Sequence, residues 1–113
     1  MHKATLHRSG KLLFAGALAL YGSGLYAQKG DAAKGKEVFD QCSVCHNSDS
    51  TEVKVGPGLK GLFKRDKMST TGKPTNDANV IMKINEGGNG MPSYGDVLSA
   101  EEKTNLIAYL KTL

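Results

Sequence analysis

The sequence predicts an all-α domain, and three observations predict it. Three segments carry apolar residues at helical spacing, each opened by a residue able to cap a helix. No stretch alternates apolar and polar residues over the length a half-buried strand needs, so no sheet is expected. The connections are long and rich in Gly, Lys, Ser and Thr, which suits chain that wraps an object rather than chain that packs on itself.

The first helix starts at Asp31, a capping residue, and runs toward Cys42. Gly35, Val38, Phe39 and Cys42 fall at i, i+3, i+4 and i+7 and share one face. Gly35 costs about 1 kcal/mol relative to Ala inside a helix, so its presence predicts another backbone passing close by. The stretch from Asn47 to Pro74 is loop, with a short helix expected around Lys60 to Arg65. The second helix lies in "TNDANVIMKINEGG", capped by Thr75 or Asn76 and ended by Gly87 and Gly88, with Val80, Ile81 and Ile84 on one stripe. "EGGNGMPSYGDVL" is again loop. The third helix lies in "SAEEKTNLIAYLKTL", where Ser99 and Glu102 form a capping box and Leu106, Tyr109, Leu110 and Leu113 repeat the apolar pattern.

Ahead of these elements stands a different kind of segment. Residues 1–11 carry Lys3, Arg8 and Lys11 with no acid, and "LLFAGALALYGSGLYA" follows, broken by Gly16, Gly22 and Gly24. A basic start, a short apolar run and a small final residue describe a secretory signal, expected to be cut after Ala27. The rival reading is a retained membrane anchor, for which the run falls short of the ~20 apolar residues a spanning helix needs. The domain is therefore residues 28–113, and the expected location is outside the cytoplasm, in the periplasm.

Removing the leader changes the charge. Of 15 basic and 11 acidic residues in the full chain, 12 and 11 remain after Ala27, a formal +1. The basic character belongs to the targeting segment and gives no support to nucleic-acid binding. His2 and His7 leave too, so His46 is the mature chain's one histidine beside its two cysteines, Cys42 and Cys45. With no Trp and few aromatics, so small a domain gains from a large apolar prosthetic group.

"CSVCH", Cys42 to His46, identifies that group. A disulfide over so tiny a loop constrains the unfolded chain little. Thioredoxin-like chemistry needs a β-α-β setting that is absent here. A structural zinc site wants four ligands, and the mature chain offers two thiols and one imidazole. Cys-x-x-Cys-His is the c-type haem attachment motif and uses all three residues. The cysteines lie about one helical turn apart, suited to forming thioethers with two adjacent vinyl groups, and His46 then supplies an axial nitrogen. On the opposite face, the absence of a second mature histidine leaves methionine. Met82 sits in the second helix and is read as packing; Met68, in "KRDKMSTTGK", is read as a solvated loop residue. Met91 follows the flexible "EGGNG" and precedes Pro92, so it is the expected axial thioether.

The mature chain resembles the class I c-type cytochromes, small monohaem electron carriers. "DAAKGKEVFDQCSVCH", "VGPGLKGLFKR", "GMPSY" and "LIAYLK" carry the resemblance across residues 28–113. It implies the cytochrome c fold, with long loops around one covalently bound haem c. It also implies that Gly35 and Phe39 pack against Leu106 and Tyr109, that the Pro57 carbonyl orients His46, that Leu59 packs on the haem and that Arg65 lies near a propionate. The Trp that often binds a propionate in the family is missing.

These readings together predict a single-electron carrier rather than an enzyme. Redox proteins are the expected partners, met in brief contacts by a monomer, with no small-molecule substrate. Lys54, Lys60, Lys64 and Lys83 could ring an exposed haem edge, but the formal +1 favours ordinary solvated surface. The alternatives are a haem-bearing subunit or tethered domain of a larger oxidoreductase, and a peroxidase-like or gas-binding haem protein.

Overall fold

In the computed structural model, which describes residues 29–113, three α-helices and one short 3-10 helix carry the fold. The expected leader, residues 1–27, lies outside the described residues. Helix α1 spans Ala32–Phe39, the 3-10 helix Leu62–Lys64, α2 Asp77–Glu86 and α3 Ala100–Leu110. Among the described residues there is no named strand, only the isolated bridges Lys67–Pro74 and Gly88–Met91. No described helix is long and apolar enough to cross a membrane.

Each helix begins where a side chain can satisfy its first free N–H groups. The Asp31 carboxylate accepts from Ala33 N at 2.9 Å and Lys34 N at 3.2 Å. Asn76, not Thr75, caps α2, accepting from Asn79 N at 2.8 Å. Ser99 and Glu102 bond each other's backbone N–H in a reciprocal capping box at α3. Gly87 ends α2 with a φ of 66°.

Helices α1 and α3 cross at the expected contact. Gly35 is buried there, because any Cβ would collide with the Asn105 carbonyl oxygen and stand 2.8 Å from Tyr109 Cβ. Gly30 makes a second close approach, to Thr104 and Ala108. Phe39 and Tyr109 meet with ring centroids 5.3 Å apart, a tilted pairing that aromatic quadrupoles favour. Asn105 fastens the crossing: its side-chain oxygen accepts from Asp31 N at 2.9 Å, and the residue is 8% exposed. Beneath lies a core of Phe39, Leu62, Met68, Val80, Ile84, Leu98, Leu106, Ile107 and Leu110. Lys111 bridges Asp77 at 2.9 Å and sits over the Phe63 ring, tying the ends of α2 and α3 to the 3-10 helix.

Met68 is not solvated. It is 7% exposed and belongs to this core. The chain folds back on itself there, with Met68 N bonded to Lys73 O and Thr75 N to Asp66 O. That pairing gives local alternation: Lys67 and Ser69 face water, and Met68 points inward.

Candidate functional site

Past Phe39 the chain keeps turning. Ser43 N bonds to Phe39 O at 2.9 Å, Cys45 N to Cys42 O at 3.1 Å and His46 N to Cys42 O at 3.0 Å. This continuation of α1 sets Cys42 and Cys45 one turn apart with His46 immediately beyond. Both cysteines are free thiols. Burial first, and then the neighbouring Cys45, push the Cys42 thiol above its ordinary value. It therefore stays neutral at physiological pH.

The next segment returns alongside. Gyrating back, Gly56 N bonds to Cys45 O and Leu59 N to Asn47 O, both at 2.8 Å, and these two bonds bracket Pro57 opposite His46. The Pro57 carbonyl lies 2.8 Å from His46 Nδ1. A carbonyl can only accept, so Nδ1 carries a proton, and in the neutral imidazole this tautomer puts the lone pair on Nε2. Gly56 is needed where the imidazole passes: a Cβ would stand 2.9 Å from Nδ1. Arg65 supports the same segment, its guanidinium donating to Lys60 O at 2.7 Å and Gly58 O at 3.2 Å.

Across the cleft, the "EGGNG" stretch is not a floppy lead-in to Met91. Gly88 N donates to Met91 O at 2.9 Å and Met91 N to Gly88 O at 3.1 Å. The two residues between, Asn89 and Gly90, have φ of 54° and 91°. A two-residue turn with positive φ at both centres is the tight hairpin turn for which Asn-Gly is the favoured pair. Met91 closes that turn, and Pro92 fixes the exit.

These pieces enclose a cleft of about 320 Å³. All seven residues singled out from the sequence line it: Cys42, Cys45, His46, Pro57, Leu59, Arg65 and Met91. Leu62, Val80, Ile84, Tyr94 and Leu110 add apolar wall, and Gln41, Ser69 and Thr70 add polar groups. Other lining residues were assigned differently or not at all from the sequence. Met68 is concealed by its polar neighbours. Lys83, weighed only as a surface charge, lines the cleft from α2, and Tyr94, within "GMPSY" but given no role, lines it from the segment after Pro92. Met82, 39% exposed, takes no part.

A family profile described as Cytochrome c matches residues 32–113, which includes every residue of this cleft. The chain belongs to the cytochrome c family. Cytochrome c2 of Blastochloris viridis is 44% identical over 70 residues, an alignment covering 61% of this chain and 54% of that protein. Cytochrome c6 of Rippkaea orientalis is 35% identical over 85 residues, covering 74% and 72%. Among solved structures, cytochrome c6 from the diatom Phaeodactylum tricornutum matches with a TM-score of 0.58 at 27% identity, over 74% of this chain and 93% of that one. The cytochrome thus has the all-α cytochrome c fold, and membership implies covalently bound haem c. Its residues fit that group: two free thiols and an imidazole whose Nδ1 faces the Pro57 carbonyl stand on one wall, a thioether on another, and apolar side chains between.

Lysines are less available than their number implies. Lys54 Nζ donates to Ser43 O at 2.9 Å, and Lys83 Nζ to Gly87 O at 3.0 Å and Gly88 O at 3.3 Å. Two of the four lysines considered for an electrostatic ring are thus engaged with the cytochrome's own backbone.

Proposed function

We propose that this cytochrome is exported and carries single electrons between redox proteins. Cys42 and Cys45 would anchor one haem c, and His46 through Nε2 and Met91 through Sδ would hold its iron. The observation that carries this reading is the 2.8 Å contact between His46 Nδ1 and Pro57 O. It supports a fixed tautomer and ring orientation, with the ligating nitrogen turned away from Pro57. When bound, the haem supplies a one-electron iron couple.

The chain's own residues do the rest. Leu59, Leu62, Val80, Ile84 and Leu110 give the cleft apolar walls that would keep water from a bound haem, so little solvent would reorganise when its charge changes. Two protein ligands leave no position for a substrate, which suits transfer and not bond-making. Arg65 acts on the Pro57 side as a brace for the His46 partner segment. Redox partners meet the exposed edge in small, brief contacts, and the near-neutral mature charge makes them weakly salt-dependent.

A spectroelectrochemical titration of the matured protein tests this. The expected result is one reversible transition with one-electron slope and low-spin iron in both states. High-spin iron in the untreated oxidised protein would overturn it in favour of a peroxidase-like or gas-binding protein.

A further inference from the structure

We propose that Lys83 and Lys103 are positioning residues that latch the Met91 turn in place and so keep its sulfur in the axial position, an inference that rests on the His/Met reading above. The turn lies in the segment from Gly87 to Gly95. Lys83 Nζ donates to the carbonyls of Gly87 and Gly88 at one end, 3.0 and 3.3 Å away. Lys103, on α3, donates to the carbonyl of Gly95 at the other end, 2.8 Å away. Both side chains are half-buried. The ion pair between Lys111 and Asp77 involves neither of them.

A half-buried ammonium that spends its charge on main-chain carbonyls has a desolvation cost to offset. The location supplies the compensation. Gly87 and Gly88 sit just past the C-terminus of α2, the end of the dipole where a cation is favoured. Charge-assisted bonds are stronger than neutral ones, and Lys83 makes two. Lys103 works differently: it joins the far end of the segment to a second helix. Between the two points lie Gly87, Gly88 and Gly90, which lose more conformational freedom on ordering than any other residue type. Backbone bonds from Tyr94 N to Ile84 O and Gly95 N to Asn85 O hold the exit of the turn; at its entry Gly87 N bonds to Lys83 O, and the Lys83 ammonium adds a side-chain tie to the Gly87 and Gly88 carbonyls.

A thioether is a neutral ligand, so its occupancy depends on how firmly the turn is held. The fraction of time the sulfur is off sets how easily an external ligand takes its place. Imidazole binding to the oxidised holoprotein, followed by loss of the red-region sulfur-to-iron band, therefore reads the latch.

Lys83→Gln is expected to tighten apparent imidazole binding about tenfold, equivalent to ~1.4 kcal/mol, and Lys103→Gln about threefold. Lys83→Arg, which keeps the charge and its donors, should return to within about twofold of wild type, as should the exposed control Lys36→Gln. Imidazole affinity of Lys83→Gln within twofold of wild type overturns the latch, and so does equal tightening by Lys83→Arg and Lys83→Gln. If Lys83→Gln does not accumulate as holoprotein, Lys103→Gln decides: a gain supports the latch and no gain overturns it. A wild-type spectrum without the sulfur band overturns the His/Met reading itself, a separate and visible failure.

Discussion

Met91→Ala is expected to erase the sulfur-to-iron band from the oxidised spectrum and to lower the reduction potential by at least about 59 mV, tenfold in a one-electron equilibrium. A thioether favours the reduced iron relative to nitrogen or oxygen ligands, so its loss stabilises the oxidised state. The decisive comparison is Met68→Ala. Met68 also lines the cleft, and the residue is 7% exposed. As a packing residue it should keep the band while losing about 2–5 kcal/mol of stability, the usual cost of truncating a buried Met. Optical spectra and voltammetry of the two variants separate the roles. A band that survives in Met91→Ala and disappears in Met68→Ala would transfer the ligand to the other methionine.

Gly35→Ala is expected to lower the melting temperature of the holoprotein by about 10 °C or more, from a loss of about 2 kcal/mol or more. Helix propensity alone predicts the opposite sign, since Ala is better than Gly by about 1 kcal/mol in a helix interior. The obstacle is the Asn105 carbonyl of the facing helix. Backbone cannot swing aside as a side chain can, so α1 and α3 must move apart. That movement also strains the Phe39–Tyr109 contact and the bond from Asp31 N to Asn105. Thermal melts followed by helix signal check this. An unchanged or raised melting temperature would mean that the crossing relaxes and that Gly35 is merely tolerated.

What was legible in the sequence was mostly local or chemically singular. Helix starts were readable because Asp31, Asn76 and Ser99 act within their own first turns. One wall of the cleft was readable because "CSVCH" compresses two thiols and an imidazole into about one helical turn. Gly35 was readable from its cost. The remainder depended on distance along the chain. Asn105 interrupts no apolar stripe and reveals its purpose only when Asp31, 74 residues away, donates to it. Ile107 is buried at 4% although it lies off the stripe named for α3, because α3 packs on more than one side. Met68 was masked by polar neighbours whose alternation emerges only once Lys67 pairs with Pro74. The Asn89-Gly90 pair was a usable signal for a tight turn; reading its glycines as flexibility missed the ordered presentation of Met91. Lys83 and Lys103 could not have been separated from solvated lysines without the carbonyls they reach.

The account stands on a porphyrin joined to the polypeptide by two thioethers. Intact mass measured under denaturing conditions, on protein produced with a working maturation apparatus, tests this most directly. The predicted mass exceeds that of the mature polypeptide by one haem, and Cys42→Ala with Cys45→Ala abolishes the increment. A mass equal to the polypeptide alone, in protein that is otherwise folded, would contradict the account.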